Sequence, residues 1–266
     1  EVRLREGSLL APRAPAPLGL RGVTMMRLLA ALHGLVAVAR HGEAPAAHSA
    51  YVVIALRGLA GDKRFLLSDG IGVGYGARPF ADGTDAVYFV AQENYPVEFM
   101  ELSYPVRLRS YAINRDSGGA GRYRGGCGVV REFEVLADTS MLAVRIDSVV
   151  NPPWGVAGGL NGGSGRAVVN GDRLLAPLSD GNMLKKGDVF RIETGGGGGW
   201  GHPFDRPAED VLADVQGGFV SEEAAARDYG VVITDGALDV ARTQALRASR
   251  PTAGLFHRRE YRDAVA

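Results

Sequence analysis

The sequence VFRIETGGGGGWGHP at residues 189–203 determines how this chain is interpreted. Five consecutive glycines, at 195–199, let backbone segments approach one another more closely than any other sequence can, and ordering them costs conformational entropy that packing must offset. Glycine runs are commonly flexible linkers. This run, however, follows an alternating, strand-like segment and ends on Trp200, whose ring favours burial. The context favours a close-packed bend, with a linker as the alternative.

Glycine is abundant throughout the chain, with 38 glycines among 266 residues, about twice the average usage. The glycines cluster at 70–76, 118–128, 155–165 and 195–201, and each cluster separates apolar, β-branched stretches. A hydrophobic content of 46% is sufficient for a real core. The pattern therefore predicts an α+β protein, rich in β-structure, with glycine-rich bends.

Hydrophobic periodicity places the elements within that class. Apolar residues at helical spacing over 23–39 predict a buried helix that is shorter than a bilayer span and interrupted by Arg27 and His33. Asn170-Gly171 predicts a hairpin turn, because both residues accept a positive φ. Two short helices are expected at 208–215 and 222–229, capped by Asp205 and Ser221. Strands are expected at 51–56, 64–67, 86–90, 97–102, 106–113, 129–136, 141–146 and 189–193.

The same pattern divides the chain into four parts. A proline-rich segment and the buried helix occupy 1–50, the β-rich core 51–203, a short helical region 204–235, and a polar tail 236–266. The tail has no steady periodicity, so it is expected either to fray or to dock on another surface.

Composition excludes several classes of function. Thirty basic residues balance thirty acidic ones, so the electrostatic footprint of a general nucleic-acid binder is missing. One cysteine, Cys127, cannot form an intrachain disulfide, which favours a reduced, cytoplasmic setting. No membrane association is expected.

Most catalytic motifs are also missing from the sequence. No GxxxxGK[ST] loop or dinucleotide fingerprint occurs, and neither Ser117 nor Ser164 lies in a GxSxG elbow. The five histidines show no paired spacing, so no metal site is expected within the chain. Cys127 lies between glycines and is interpreted as a packing residue.

Three residues remain as candidates for substrate binding: Arg78, Glu98 and Asp147. Glu98 follows Pro96, and Asp147 comes at the end of an apolar strand, ahead of the sequence PPWG. Asp116 and Asp188 precede serine or glycine and are interpreted as turn caps. No catalytic residue is assigned.

Six motifs together resemble the C-terminal half of the hydantoinase B/oxoprolinase family, over about residues 5–235. They are GARP at 76–79 with DG at 82–83, NYPVE at 94–98, RDSGGAGRYRGG at 115–126, PPWGVAGG at 152–159, GD at 187–188, and GGGGGWGHP at 195–203. The resemblance implies a component of an ATP-dependent enzyme acting on cyclic amides or imides, with carboxylases among the relatives. It further implies that phosphorylation of an amide or enol oxygen makes a stable group labile.

The resemblance also implies partners. A hydantoinase A-type subunit would bind ATP, and an N-terminal half, absent here, would supply the metal ligands through Asn-Asp-Pro-Tyr-type and His-His-Ala-Asp-type segments. The chain itself departs from the family at Phe80, where glycine is usual, and at Asp180, where lysine is common. We therefore expect a C-terminal portion or split subunit, with no cofactor of its own and with ATP and a divalent metal in the complete complex. The alternative is a non-catalytic structural or assembly module, or a degenerate fragment.

Overall fold

The computed structural model describes residues 3–16, 21–50, 52–88 and 93–257. Its helices are α1 (Arg21–Ala39), α2 (Val97–Ser103), α3 (Ala208–Gln216), α4 (Glu222–Tyr229) and α5 (Val240–Arg247), with a 3-10 turn at Pro203–Asp205. Its strands are β1 (Val52–Ala60), β2 (Lys63–Ile71), β3 (Val106–Ile113), β4 (Val129–Val135), β5 (Thr139–Ile146), β6 (Gly155–Val156), β7 (Arg166–Val169), β8 (Arg173–Leu174), β9 (Leu178–Lys185), β10 (Val189–Glu193), β11 (Ile233–Thr234), β12 (Ala237–Leu238) and β13 (Phe256–His257). The predicted α+β class is confirmed.

Two antiparallel sheets form the main core. One has the strand order β2-β1-β5-β9 and the other β3-β4-β10-β7-β8. Alternating residues of both sheets, such as Ile54, Leu142, Phe133 and Ile192, are buried in one cluster, as expected where two sheets pack face to face. The predicted hairpin is confirmed: Val169 pairs with Arg173, and Asn170 and Gly171 have φ angles of 52° and 85°.

The glycine run lies beside this sandwich, buried over its full length. Its backbone bonds repeat every third residue. Gly195 and Gly198 bond the 74–77 segment and Ala47, Gly196 and Gly199 bond the 156–163 segment, and Gly197 and Trp200 bond the 119–126 segment. A period of three matches an extended helix of three residues per turn, which has no internal hydrogen bonds. The linker alternative is therefore wrong.

Each glycine of the run faces a neighbouring backbone at van der Waals contact. A Cβ atom at Gly196 would lie 1.9 Å from the carbonyl oxygen of Ser117, and one at Gly197 would lie 2.1 Å from that of Tyr75. At Gly198 the corresponding distance to the carbonyl oxygen of Trp154 is 2.0 Å. Because neighbours surround the run on all three sides, no position in it has room for a side chain.

Two predictions about helices need correction. The helix expected at 23–39 forms as α1, but it is not buried: Met26, Ala30 and Ala37 are its buried apolar residues, while most of its large side chains are exposed. The stretch 22–39 also has a mean hydropathy of 1.6, and by length and composition alone it is long enough to cross a membrane. Core helices and signal sequences meet the same criterion.

The stretch 97–102, predicted as a strand, is helix α2. Pro96 precedes its first turn, where a fixed φ is compatible with helix formation, and Met100 is the residue it buries. Of the strand expected at 86–90, Val87 makes an isolated bridge with Val73, and residues 89–90 lie outside the described residues, as does Tyr51.

The C-terminal region folds back on the chain. Ser221 caps α4 as predicted, accepting a hydrogen bond from the Ala224 amide. Asp205 does not cap α3, which begins after Pro207; it pairs instead with Arg250. Beyond Thr234, α5 follows the β11–β12 hairpin, and β13 pairs with β6. The tail is thus docked on this chain as far as His257.

Candidate functional site

Asp147 lies in a group of polar side chains under α1. The Arg27 Nε atom of α1 is 3.2 Å from Asp147 Oδ2, and Arg27 Nη2 donates a hydrogen bond to the carbonyl oxygen of His48. Asp147 follows the end of β5, and Ser148 turns the backbone there with a φ of 61°. The charge of Asp147 is therefore matched by Arg27, and a ligand that used this carboxylate would have to share or open the ion pair.

His48 is the buried titratable group of this cluster. The residue is 7% exposed, and its ring lies 5.3 Å from that of Tyr75, centroid to centroid. Burial, together with the positive charge of Arg27 and the nearby His33, lowers the pKa of His48 to about 4. His33 Nδ1 and Ser49 Oγ are buried atoms that make no hydrogen bond in the structure. His48 is therefore neutral at physiological pH, and the cluster has unused polar atoms.

We expect this histidine to make folding stability depend on pH. Because the folded pKa lies below the unfolded value, the unfolded chain binds the proton first, and stability falls as pH drops from about 6.5 to about 4. The loss from His48 alone is on the order of 3 kcal/mol. Urea unfolding across this range should show a shallower slope for His48→Asn, whereas the exposed-residue control His41→Asn keeps the wild-type slope. Equal slopes in all three proteins would contradict the assignment.

The other two predicted residues lie elsewhere. Arg78 is exposed, donates a hydrogen bond to the carbonyl oxygen of Asp82, and stacks over Phe80. Glu98 is exposed in the first turn of α2. The structure describes no hydrogen bond or ion pair between any two of Arg78, Glu98 and Asp147, so it does not gather them into one constellation.

A second polar cluster joins the glycine-rich motifs to the C-terminal helices. Arg206 pairs with Asp82 through two hydrogen bonds of 2.8 Å and lies 2.9 Å from Asp214. Arg124, buried and stacked on the ring of Phe219, pairs with Asp214 and with a third carboxylate, Asp85. A cavity of about 460 Å³ opens beside Asp82, Arg206 and Asp214.

Sequence reasoning did not detect either cluster as a unit. Arg27 and His33 were noticed as interruptions of an apolar helix, which was the available signal for the first cluster. In the second cluster, Arg124 and Asp82 belong to the quoted motifs, but their joint partner Asp214 lies in α3, far along the chain. Their hydrogen bonds and ion pairs hold the motif loops and α3 together.

Metal-ligand and thiol chemistry have little basis in the described residues. Over the described ranges, no three His, Cys, Asp or Glu side chains converge as a metal ion would require. Cys127 is fully buried, and burial raises the pKa of its thiol, which disfavours the thiolate needed by a nucleophile.

Comparison with known proteins assigns the class. The family model for hydantoinase B/oxoprolinase matches residues 1–203. This chain belongs to the hydantoinase B/oxoprolinase family. The predicted resemblance is confirmed, and the motif clusters described above belong to the family's fold.

Individual relatives agree with that assignment. The chain is 32% identical over 203 residues to the B component of a putative D-/L-hydantoinase from Pseudomonas sp. (strain NS671), covering 73% of this chain and 34% of that protein. It is 36% identical over 188 residues to the caprolactamase beta chain of Pseudomonas jessenii, covering 66% and 32%. The crystal structure of the ATP-dependent caprolactamase from P. jessenii superposes with a TM-score of 0.74 at 29% identity, covering 93% of this chain and 46% of that one.

The relatives are longer than this chain. It spans 44%, 34% and 32% of three curated relatives. Two of these carry names that make them the B-type or beta-type subunits of their enzymes.

Proposed function

We propose that this chain is a component of an ATP-dependent enzyme that acts on cyclic amides or imides. The observation that carries the proposal is the family match over residues 1–203, together with relatives named hydantoinase, caprolactamase and 5-oxoprolinase. A carboxylase is the variant reaction, since an acetone carboxylase alpha subunit is also a relative.

The chemistry of the class explains why more than one polypeptide is proposed. An amide carbonyl is a poor electrophile; transfer of a phosphoryl group from ATP to its oxygen, with release of ADP, makes the carbon reactive. Water then adds, the C–N bond breaks and phosphate leaves. ATP would be bound by a hydantoinase A-type partner, since this sequence has no phosphate-binding loop. A divalent metal would be held by hydantoinase B sequence of the N-terminal, metal-ligand type, in a cytoplasmic complex.

Within this chain, Asp147, Arg78 and Glu98 are the proposed substrate-binding residues. Asp147 is the best supported, because it lies in a half-buried polar cluster with Arg27 and His48. An amide N–H of the substrate is the donor that a carboxylate there would accept.

Turnover by the assembled complex tests the proposal. The tagged chain, purified with its native partners, should release ADP only when hydantoin, 5-oxoproline or caprolactam is added, and metal analysis should find a divalent ion in the complex and none above background in the chain alone. Asp147→Asn should raise KM by about tenfold or more, while the exposed control Asp180→Asn leaves KM unchanged.

The competing proposal is a non-catalytic structural or assembly module. It is favoured by the separation of Arg78 and Glu98 from the Asp147 cluster. A complex that assembles stably yet shows no substrate-dependent ADP release on any of the three substrates would support that module and overturn the enzyme proposal.

A further inference from the structure

Helix α1 is oriented with its polar side chains inward and its large apolar side chains outward. Arg27 and His33 face the domain, where Arg27 meets Asp147 and His33 lies near His48. On the opposite side an apolar seam is exposed, at 42–66% of each side chain, comprising Met25, Leu28, Leu29, Leu32, Leu35 and Val36. This is the reverse of the pattern of a helix at a protein surface.

The spacing of the seam matches the packing of one helix on another. Counted from Met25, its members fall at i+3, i+4, i+7, i+10 and i+11, which places them on one stripe of the helix. Such a stripe inserts into the holes of a facing helix. The seam contains no charged residue, and a contiguous apolar patch of this kind marks an interaction site.

Contacts along α1 show that it lies against the domain. Besides the Arg27–Asp147 pair, the α-carbon of Gly34 lies close to the ring of Trp154, 3.5 Å from where a Cβ would be, and Ala37 is buried with Ala44 and Val156. A helix that crosses a bilayer needs an apolar surface on all sides, and placing Arg27 in lipid would be costly. These contacts favour a protein occupant over a membrane.

We propose that the apolar seam of α1 docks an apolar helix from the portion of a hydantoinase B-type fold that lies outside this chain's match to its relatives. The caprolactamase structure matches 93% of this chain, yet more than half of that chain lies outside the match, so the fold has ample polypeptide to cover the seam. A wholly apolar seam is typical of permanent interfaces, which resemble a domain core cut in two. The proposal rests on the proposed function only in that both place this chain in a larger assembly.

Co-expression with a complementing polypeptide tests the docking. The probe is the caprolactamase beta chain of P. jessenii without the region that matches this chain, carrying an affinity tag. The full-length wild-type chain should co-purify with it in equal stoichiometry. The seam variant, Leu28→Glu with Leu32→Glu and Leu35→Glu, should bind at least about tenfold more weakly.

A matched control separates docking from general solubility. Leu102→Glu with Leu174→Glu and Leu178→Glu changes three leucines that are at least as exposed but lie outside α1, and this variant should bind like the wild type. Circular dichroism should show all three chains equally folded, because every substituted side chain is solvent-exposed.

Each other outcome overturns the docking proposal. Equal binding by the seam variant, or no binding by the wild type, excludes this occupant. A seam-dependent homodimer that the probe does not dissociate assigns the seam to a second copy. Seam-dependent flotation with phosphatidylcholine–phosphatidylglycerol vesicles assigns it to a membrane. Because binding is measured without ATP or substrate, failure of the enzyme proposal would leave this result unchanged.

Discussion

Gly197→Ala is expected to cost more than about 4 kcal/mol of folding stability. The added Cβ would lie 2.1 Å from the Tyr75 carbonyl oxygen and 2.5 Å from the Gly76 nitrogen. Both are backbone atoms, so the clash can be relieved only if a neighbouring segment moves. That movement would disturb the bonds that Gly197 makes to Gly126 and Gly119. The urea midpoint should fall steeply, or the cooperative transition should be lost.

Gly254→Ala is the matched control. Its nearest atom to an added Cβ is 3.7 Å away, an ordinary contact, so stability should change by less than about 1 kcal/mol. If the two substitutions shift the urea midpoint equally, the close packing of the glycine run is wrong. Gly197→Val should be at least as damaging as Gly197→Ala, since it adds further atoms to the same space.

Breaking the ion pair between the two sheets should have the next largest effect. Arg131 of β4 is fully buried, Asp69 of β2 is 5% exposed, and Arg131 Nη1 donates to the Asp69 carboxylate. The guanidinium also stacks over Tyr111, 4.6 Å from the ring centroid, and two of its nitrogens are buried without a hydrogen bond. Asp69→Leu leaves an unpaired charge in the core and should cost about 3–5 kcal/mol.

The double variant Asp69→Leu with Arg131→Met distinguishes the pair from simple packing. Removing both charges should recover most of the loss, because a buried ion pair barely offsets its own desolvation. The double-mutant cycle in urea should therefore give a large coupling energy. Glu6→Leu, which breaks an exposed pair with Arg13, is the control and should change stability by about 1 kcal/mol or less. Additive effects at Asp69 and Arg131 would refute the coupling.

Short-range patterns predicted those elements whose residues determine them locally. Strand β10 was predicted at its observed bounds, and the Asn170-Gly171 turn and the Ser221 cap also depend on neighbouring residues. Helix α2 was missed because Val97 and Phe99 are β-formers by propensity, whereas Pro96 and the burial of Met100 favour the helix. The exposure of α1 was missed because an apolar helix predicts burial but does not identify what covers it.

The candidate site was less accessible to sequence reasoning for a physical reason. Its members come from α1, the loop at 44–50 and the end of β5, and only the folded chain brings them together. Asp147 was found because it ends an apolar strand; its partner Arg27 looked like an interruption in α1. Similarly, Arg131 on β4 occupies a core-facing position in an otherwise apolar pattern, and only the register of β2 reveals its partner Asp69.

The threefold pairing of residues 195–199 has a consequence for the order of folding. The three surrounding segments are synthesised first, and many of their backbone amides and carbonyls find partners only on the glycine run. On the ribosome, those groups must remain solvated until residue 199 has emerged. Because these contacts join distant positions, their loop-closure entropy slows folding. Nascent chains arrested before residue 195 should therefore remain protease-sensitive, and resistance should arise abruptly once the run is released.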